Sequence, residues 1–143
     1  MYRRVVGMAV AIVALVMMAC GGESHSVDVH DTESMVWSSS EEFTYDNSDT
    51  LSRRSLSILV RYDGDYVAEA VPMKILTVSP DSMVLEESFT LHIPQLADMR
   101  PEEHTFVYRN NVLLKRKGEY RFRLTPDQPV EGIASVGIII DER

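Results

Sequence analysis

Residues 56–62 read Leu56-Ser57-Ile58-Leu59-Val60-Arg61-Tyr62, and Asp63-Gly64 follows at once. Leu56, Ile58, Val60 and Tyr62 fall on alternate positions, with Ser57, Leu59 and Arg61 between them. That period of two belongs to a β-strand, not to a helix. An Asp-Gly pair closing such a run is a strong hairpin signal, because the tight turn it favours needs positive φ at its centre. The segment therefore predicts a strand over 56–62, a turn at 63–64 and a return beginning at Asp65-Tyr66-Val67.

The same period continues outward. Met73 to Val78 is a second β-rich run, closed by the turn residues Ser79-Pro80-Asp81. Met83 to Leu85 and Glu87 to Ile93 come next, with Phe89, Leu91 and Ile93 on one face. Pro94 to Glu103 holds two prolines and several acids and reads as a loop. Thr105 to Tyr108, the polar Arg109-Asn110-Asn111 and Val112 to Lys115 read as a second hairpin. Between Glu119 and Thr125, Tyr120, Phe122 and Leu124 face one way and Arg121 and Arg123 the other. Gly132 to Asp141 is a strongly β-branched last strand. No segment carries a 3.6-residue apolar stripe over three turns, and there is no internal repeat. About eight or nine short strands at this spacing predict an all-β fold, a jelly-roll-like antiparallel β-sandwich over residues 35–143.

The start of the chain is of another kind. Sixteen of residues 1–19 are apolar, Arg3 and Arg4 give a positive start, and Val5 to Met18 carries no charge. This is the layout of a secretory signal peptide. Its uncharged run is short of the roughly 20 residues that a spanning helix needs. The only cysteine, Cys20, follows Ala19, and Met17-Met18-Ala19-Cys20 resembles a lipobox, in which the cysteine thiol accepts lipid. The resemblance implies a mature N-terminus with three acyl chains, and two or more suffice for stable anchoring. Residues 20–34 combine this cysteine with a polar, acidic run, Gly21 to Ser34, whose composition predicts a flexible tether of roughly 20 Å reach.

Composition narrows the functions. The 143-residue chain less its 19-residue address leaves 124 residues with a net charge of −10, more acidic than the −8 of the whole. Such a balance argues against nucleic acid as a partner. One cysteine excludes an intrachain disulfide and any zinc site built on several cysteines.

Several stretches together resemble the GldH family of gliding-motility lipoproteins of the Bacteroidetes. They are Cys20 with its polar tether, Trp37 opening the domain, and Leu56 to Tyr62 with Tyr66. Gly118-Glu119-Tyr120-Arg121-Phe122, and Gly132-Ile133 with Val136-Gly137-Ile138, complete the set. The resemblance implies a cell-envelope lipoprotein with envelope partners in gliding or type IX secretion machinery. Gly21 stands where an Asp would favour inner-membrane retention, so the outer membrane is expected, and Gly21-Gly22-Glu23-Ser24 lacks the acidic pair of a surface-export signal, so the domain is expected to face the periplasm. Asp49-Thr50-Leu51 and Asp81-Ser82-Met83 resemble the Asp-Ser/Thr-hydrophobic sequon for O-glycosylation of exported proteins in that phylum, with Thr50 and Ser82 as acceptors. The plain alternative is a turn whose Asp and hydroxyl groups bond the local backbone.

Candidate chemistry is sparse. His25, His30, His92 and His104 have no zinc-ligand spacing. Asp46-Asn47-Ser48-Asp49, with Glu41 and Glu42 nearby, lacks the ligand order of an EF-hand loop and reads as a solvated acidic loop. No Gly-x-Ser-x-Gly elbow is present, and no catalytic triad can be ordered from spacing. We expect no metal, no cofactor and no enzymatic activity. Arg109, Lys115, Arg116, Lys117, Arg121 and Arg123 form a basic cluster in an acidic chain. It reads either as a partner-binding patch for acidic groups or as a solvated face that discourages edge pairing. Trp37, Tyr45, Tyr62, Tyr66 and Tyr108 read as core and rim packing, with a sugar-stacking platform as the alternative. The expected function is a structural or interaction module on a membrane-anchored lipoprotein, the alternative a glycan-binding jelly-roll lipoprotein.

Overall fold

A computed structural model describes residues 25–142. The signal peptide expected over 1–19 and Cys20, the expected lipid acceptor, lie outside the described residues. Ten strands account for the fold: β1 His25–Asp31, β2 Val36–Trp37, β3 Glu41–Asn47, β4 Arg53–Tyr62 and β5 Val71–Val78. They continue with β6 Val84–Leu91, β7 Glu102–Leu113, β8 Gly118–Pro126, β9 Val130–Glu131 and β10 Ile133–Glu142. One four-stranded sheet has the order β1-β10-β4-β7 and the other β3-β8-β5-β6, with a small β2-β9 ribbon beside them. All pairs are antiparallel. Among the eight long strands only β5 and β6 are neighbours both in the chain and in a sheet, and every other connection crosses between sheets. This is the doubled Greek key of a jelly roll, so the expected fold class is the observed one.

The alternating positions meet in the middle. Leu56, Ile58, Val60 and Tyr62 of β4 and Val136, Ile138 and Ile140 of β10 are buried. Phe43, Met73, Ile75, Phe122 and Leu124 are buried on the facing sheet. Each such side chain contributes roughly 1.5–3 kcal/mol by leaving water.

Three expectations are corrected. The tether assigned to 20–34 is too long, because His25–Asp31 is a strand in full register with β10, from His25 opposite Asp141 to Asp31 opposite Ser135. The sequence Ile133 to Glu142 is apolar on both faces, and such a strand left at a sheet edge invites aggregation. β1 covers it and turns polar groups inward: His30 stacks on Phe43 at 4.2 Å and its Nδ1 lies 3.0 Å from Glu41. The domain therefore includes residues 25–34, which the expected boundary at 35 left out. Second, Asp63-Gly64 turns the chain but closes no hairpin. β4 already has β10 and β7 on its two sides, so residues 63–70 arch to the other sheet and bury Tyr66 against Tyr62 at 5.6 Å. Third, residues 105–115 hold no hairpin. They belong largely to one long strand, β7, whose pairing with β4 slips twice. Tyr108 bulges between the pairs Ser57–Val107 and Leu56–Arg109. Asn110 and Asn111 share the place opposite Ser55, with Asn111 at φ 61°. Asparagine tolerates that left-handed conformation, so the chain bends without reversing.

The sandwich has two ends. The connections 48–52, 79–83 and 114–117 share the end where β1 begins and β10 finishes, here termed the entry end. The connections 32–40, 63–70, 92–101 and 127–132 share the far end.

Candidate functional site

The basic residues singled out in the sequence do not form one patch. Arg109 sits on the bulged part of β7 and pairs with Glu87 of β6 across the open edge of the sandwich. Lys115, Arg116 and Lys117 make the turn from β7 to β8 at the entry end. Arg121 and Arg123 lie on the exposed face of β8, where Arg123 pairs with Glu42 of β3 at 2.9 Å. Among the described residues Lys115, Lys117 and Arg121 make no ion pair.

The three entry-end loops hold one another in place. Asn47, buried at the end of β3, donates from Nδ2 to the carbonyls of Leu114 at 3.0 Å and Arg116 at 2.8 Å. The Arg116 N–H donates to the Tyr120 hydroxyl at 3.1 Å. Arg116 also reaches Asp81 of the β5–β6 hairpin at 3.3 Å. That hairpin abuts the start of β8 so closely that a Cβ on Gly118 would meet Pro80 at 3.0 Å. The β3–β4 loop is organised by Asp49. Its carboxylate accepts from the Leu51 and Ser52 N–H groups at 2.8 and 3.1 Å and from the Ser52 hydroxyl. The Ser52 hydroxyl bond, then the two backbone bonds, hold its pKa down at about 2. Beneath the loop Arg54, buried in the core wall, donates to the Asp49 carbonyl at 3.2 Å and to the Tyr45 hydroxyl at 3.3 Å.

These supports present apolar side chains to solvent. Leu51 is 87% exposed, Met83 69% and Val84 63%. Behind them, between β6 and β7, a groove of about 270 Å³ is floored by Leu56, Val112, Leu114 and Phe122 and walled by Leu85 and Tyr108. Arg109 and Glu87 close its rim. Arg109 holds Glu87 below the usual carboxylate range, while burial, and then a hydrogen bond donated to Glu87, raises Tyr108. The sequence reading missed this apolar end. Its signal was present in a leucine inside the polar loop 48–52 and in Met83-Val84-Leu85 directly after a turn.

The remaining candidates are placed as follows. Thr50 is half-buried in the Asp49 loop, and Ser82 is exposed at the tip of the β5–β6 hairpin with φ 66°. Asp46 and Asp49 do not converge with Glu41 and Glu42: Asp46 stands opposite Glu119 on the outer face, and Asp49 is spent on its own loop. His25 pairs with Asp141, and His104 lies 3.6 Å from Glu102. Among the described residues no group of three His, Cys, Asp or Glu side chains could hold a metal ion. Trp37, Tyr62 and Tyr66 are in the core and Tyr45 and Tyr108 are half-buried, so these aromatics form no open stacking platform.

The described residues thus define a jelly-roll β-sandwich. No protein-family model matches the chain, and no curated protein matches it. Among solved structures it is similar to a protein of infectious bursal disease virus strain Gx, at 8% identity and TM-score 0.41, covering 82% of this chain and 32% of that one. It is also similar to dimeric latent PorU from Porphyromonas gingivalis, at 9% identity and TM-score 0.35, covering 84% of this chain and 13% of PorU. A carbohydrate-binding module of the β-sandwich superfamily is matched at 13% identity and TM-score 0.34, covering 84% of this chain and 53% of the module. The chain spans about a third, an eighth and a half of these neighbours, and likenesses of this degree assign neither family nor function.

Proposed function

We propose that this chain is a cell-envelope lipoprotein anchored through acylated Cys20, with the jelly roll as its non-enzymatic interaction module. The observation that carries the reading is continuity. An apolar address with a positive start ends in Ala19-Cys20, and β1 of an all-β sandwich lies five residues on. In finer detail the protein is of the GldH gliding-motility type, held in the outer membrane facing the periplasm, with partners in the gliding or type IX secretion machinery. What supports this detail is the set of sequence stretches quoted above.

The test is acyl labelling in growing cells with a palmitate analogue. The wild-type chain takes up label and fractionates with membranes. Cys20→Ala takes up none and leaves the membrane fraction. Label on Cys20→Ala, or an unlabelled wild type, would sink the reading. Affinity purification of the acylated protein then reads the partner, and normal secretion and gliding in a deletion strain count against the machinery role.

A further inference from the structure

We propose that the entry end of the sandwich docks onto the lipid surface beside the anchor, with Leu51 and Met83 entering the interface and Lys115 and Lys117 facing anionic headgroups. This rests on the lipoprotein reading above and adds an orientation to it.

The length of the connection comes first. With β1 starting at His25, five peptide steps separate the Cys20 and His25 Cα atoms, a span of at most about 17 Å when extended. The sandwich is longer than that: a ten-residue strand such as β4 runs roughly 33 Å. His25 lies at the entry end, so an anchor on Cys20 brings this end, not the far end, to the bilayer.

The chemistry of that end matches what it would meet. Side chains that bind a bilayer interface combine apolar groups with Lys and Arg. Leu51 and Met83 project from two adjoining loops, with Val84 at the start of β6, and the Lys115-Arg116-Lys117 turn stands against the second loop. Arg53 lies at the same end, its guanidinium donating to the Asn111 carbonyl at 3.0 Å. The acids of this end are largely committed. Asp81 pairs with Arg116, Asp141 with His25, and Asp49 with its own backbone. Asp46 and Glu119 lie on the outer face of the sheet beyond the tips, and Glu142 ends β10 beside Arg54. The far end also exposes apolar side chains, Val67 at 74% and Met99 at 56%, but its charge is the opposite one. Glu33, Asp63, Asp65, Glu69, Asp127 and Glu131 crowd its loops, and its Arg61 and Arg100 are paired with Glu103 and Asp98. An anionic surface repels that end and accepts the other.

The experiment uses the full acylated protein in vesicles. Acylation consumes the Cys20 thiol, so Leu51→Cys, Met83→Cys and Val67→Cys each offer one thiol for an environment-sensitive dye. Val67, at the far end, is the control. In phosphatidylethanolamine–phosphatidylglycerol vesicles, dye at 51 and 83 should shift to the blue and resist an aqueous quencher, while dye at 67 stays quenchable. Vesicles of phosphatidylcholine alone should weaken the shift. Lys115→Ala and Lys117→Ala should each lower the docked-to-undocked ratio roughly five-fold. A protein that fails to float with the vesicles overturns the anchor and the docking together. One that floats with all three dyes equally quenched overturns the docking alone. Protection at 51 and 83 that appears only when envelope extract is added assigns the end to a protein partner and overturns the lipid proposal.

Discussion

At the far end the loops are bonded to one another. The Asp63 N–H donates to the Gly132 carbonyl at 3.1 Å, the Gly132 N–H to Met35 at 2.9 Å, and the Asp127 N–H to Pro72 at 2.9 Å. The Tyr62 hydroxyl donates to Pro94 at 2.6 Å, and Gln95 donates to Val67 at 2.6 Å. At the entry end two of the loops turn on themselves. Asp49 closes its own loop, and Ser79 and Ser82 close the β5–β6 hairpin. Among the described residues, Asn47 and Arg116 bridge between neighbouring loops. The far end is cross-linked and acidic, with Trp37, Tyr62 and Tyr66 buried beneath its loops, whereas the entry end carries apolar and basic tips on compact supports. Stability and contact with the surroundings are therefore assigned to opposite ends, and substitutions should separate them.

The sharpest separation should come from Trp37. It is 1% exposed, its indole N–H donates to the Ser39 carbonyl at 3.0 Å, and its strand pairs with β9 to close the far end. Trp37→Ala should cost about 3–5 kcal/mol in urea unfolding, through lost burial and the cavity left behind. A loss under about 1 kcal/mol would mean that the far end does not share in cooperative unfolding. Gly132→Ala should follow at about 2–4 kcal/mol. Gly132 has φ +83°, and a Cβ there would lie 2.2 Å from the Tyr66 amide nitrogen. The new methyl group meets backbone, which cannot give way as a side chain can, and the left-handed conformation adds its own penalty.

Gly132 also shows where sequence reading stops. The alternation of Leu56 to Tyr62 and of Tyr120 to Leu124 reports which face is buried, so the strands and the layered class were legible. Alternation is silent on which strand lies beside which. Asp63-Gly64 has the residues of a hairpin, and the chain uses them for an arch, because the choice depends on whether β4 already has two neighbours. The β1 strand was unreadable for a related reason. Its valines, Val27 and Val29, face outward while Asp28 and His30 face the partner sheet. The polar-apolar contrast is thus reversed, and only the exposed apolar edge of β10 explains why the segment pairs at all. At the site, the basic residues were visible as a run, but their division among a groove rim, a turn and a sheet face follows from the fold. The exposure of Leu51 and Met83 was invisible, since an apolar residue in a sequence is first counted toward the core.

Between the two ends runs the open edge where Glu87 of β6 meets Arg109 of β7. The pair joins the two sheets, yet both side chains remain partly exposed, at 24% and 47%. Solvent screening then limits its coupling to about 0.2–1 kcal/mol, measurable by a double-mutant cycle with Glu87→Gln and Arg109→Gln. The Arg109 hydrogen bond depresses the Glu87 pKa from 4.5. Its contribution should therefore be full above pH 4.5 and fade as acid protonates the folded carboxylate. Added salt should shrink it. A coupling above about 2 kcal/mol would place the pair in a drier environment than its exposure suggests and make this edge a stability element like the far end.

The smallest effects on stability should come from the tips themselves. Leu51→Ser and Met83→Ser should each leave unfolding free energy within about 0.5 kcal/mol of the original, because almost no burial is lost. What shapes the Leu51 loop is the Asp49 carboxylate, not the leucine. With its folded pKa at about 2, below the ordinary 3.8, its stabilising contribution is complete above 3.8 and disappears as pH falls through about 2. The loop should thus keep its form throughout mild acid. Carboxyl-carbon NMR should find Asp49 titrating at about 2, with the Leu51 and Ser52 amides shifting over the same range. Titration at an ordinary aspartate pKa would mean that the carboxylate does not hold those amides. The entry end would then offer a loose tip where the geometry describes a pre-formed one, and the contrast with the far end would become one of order as well as of chemistry.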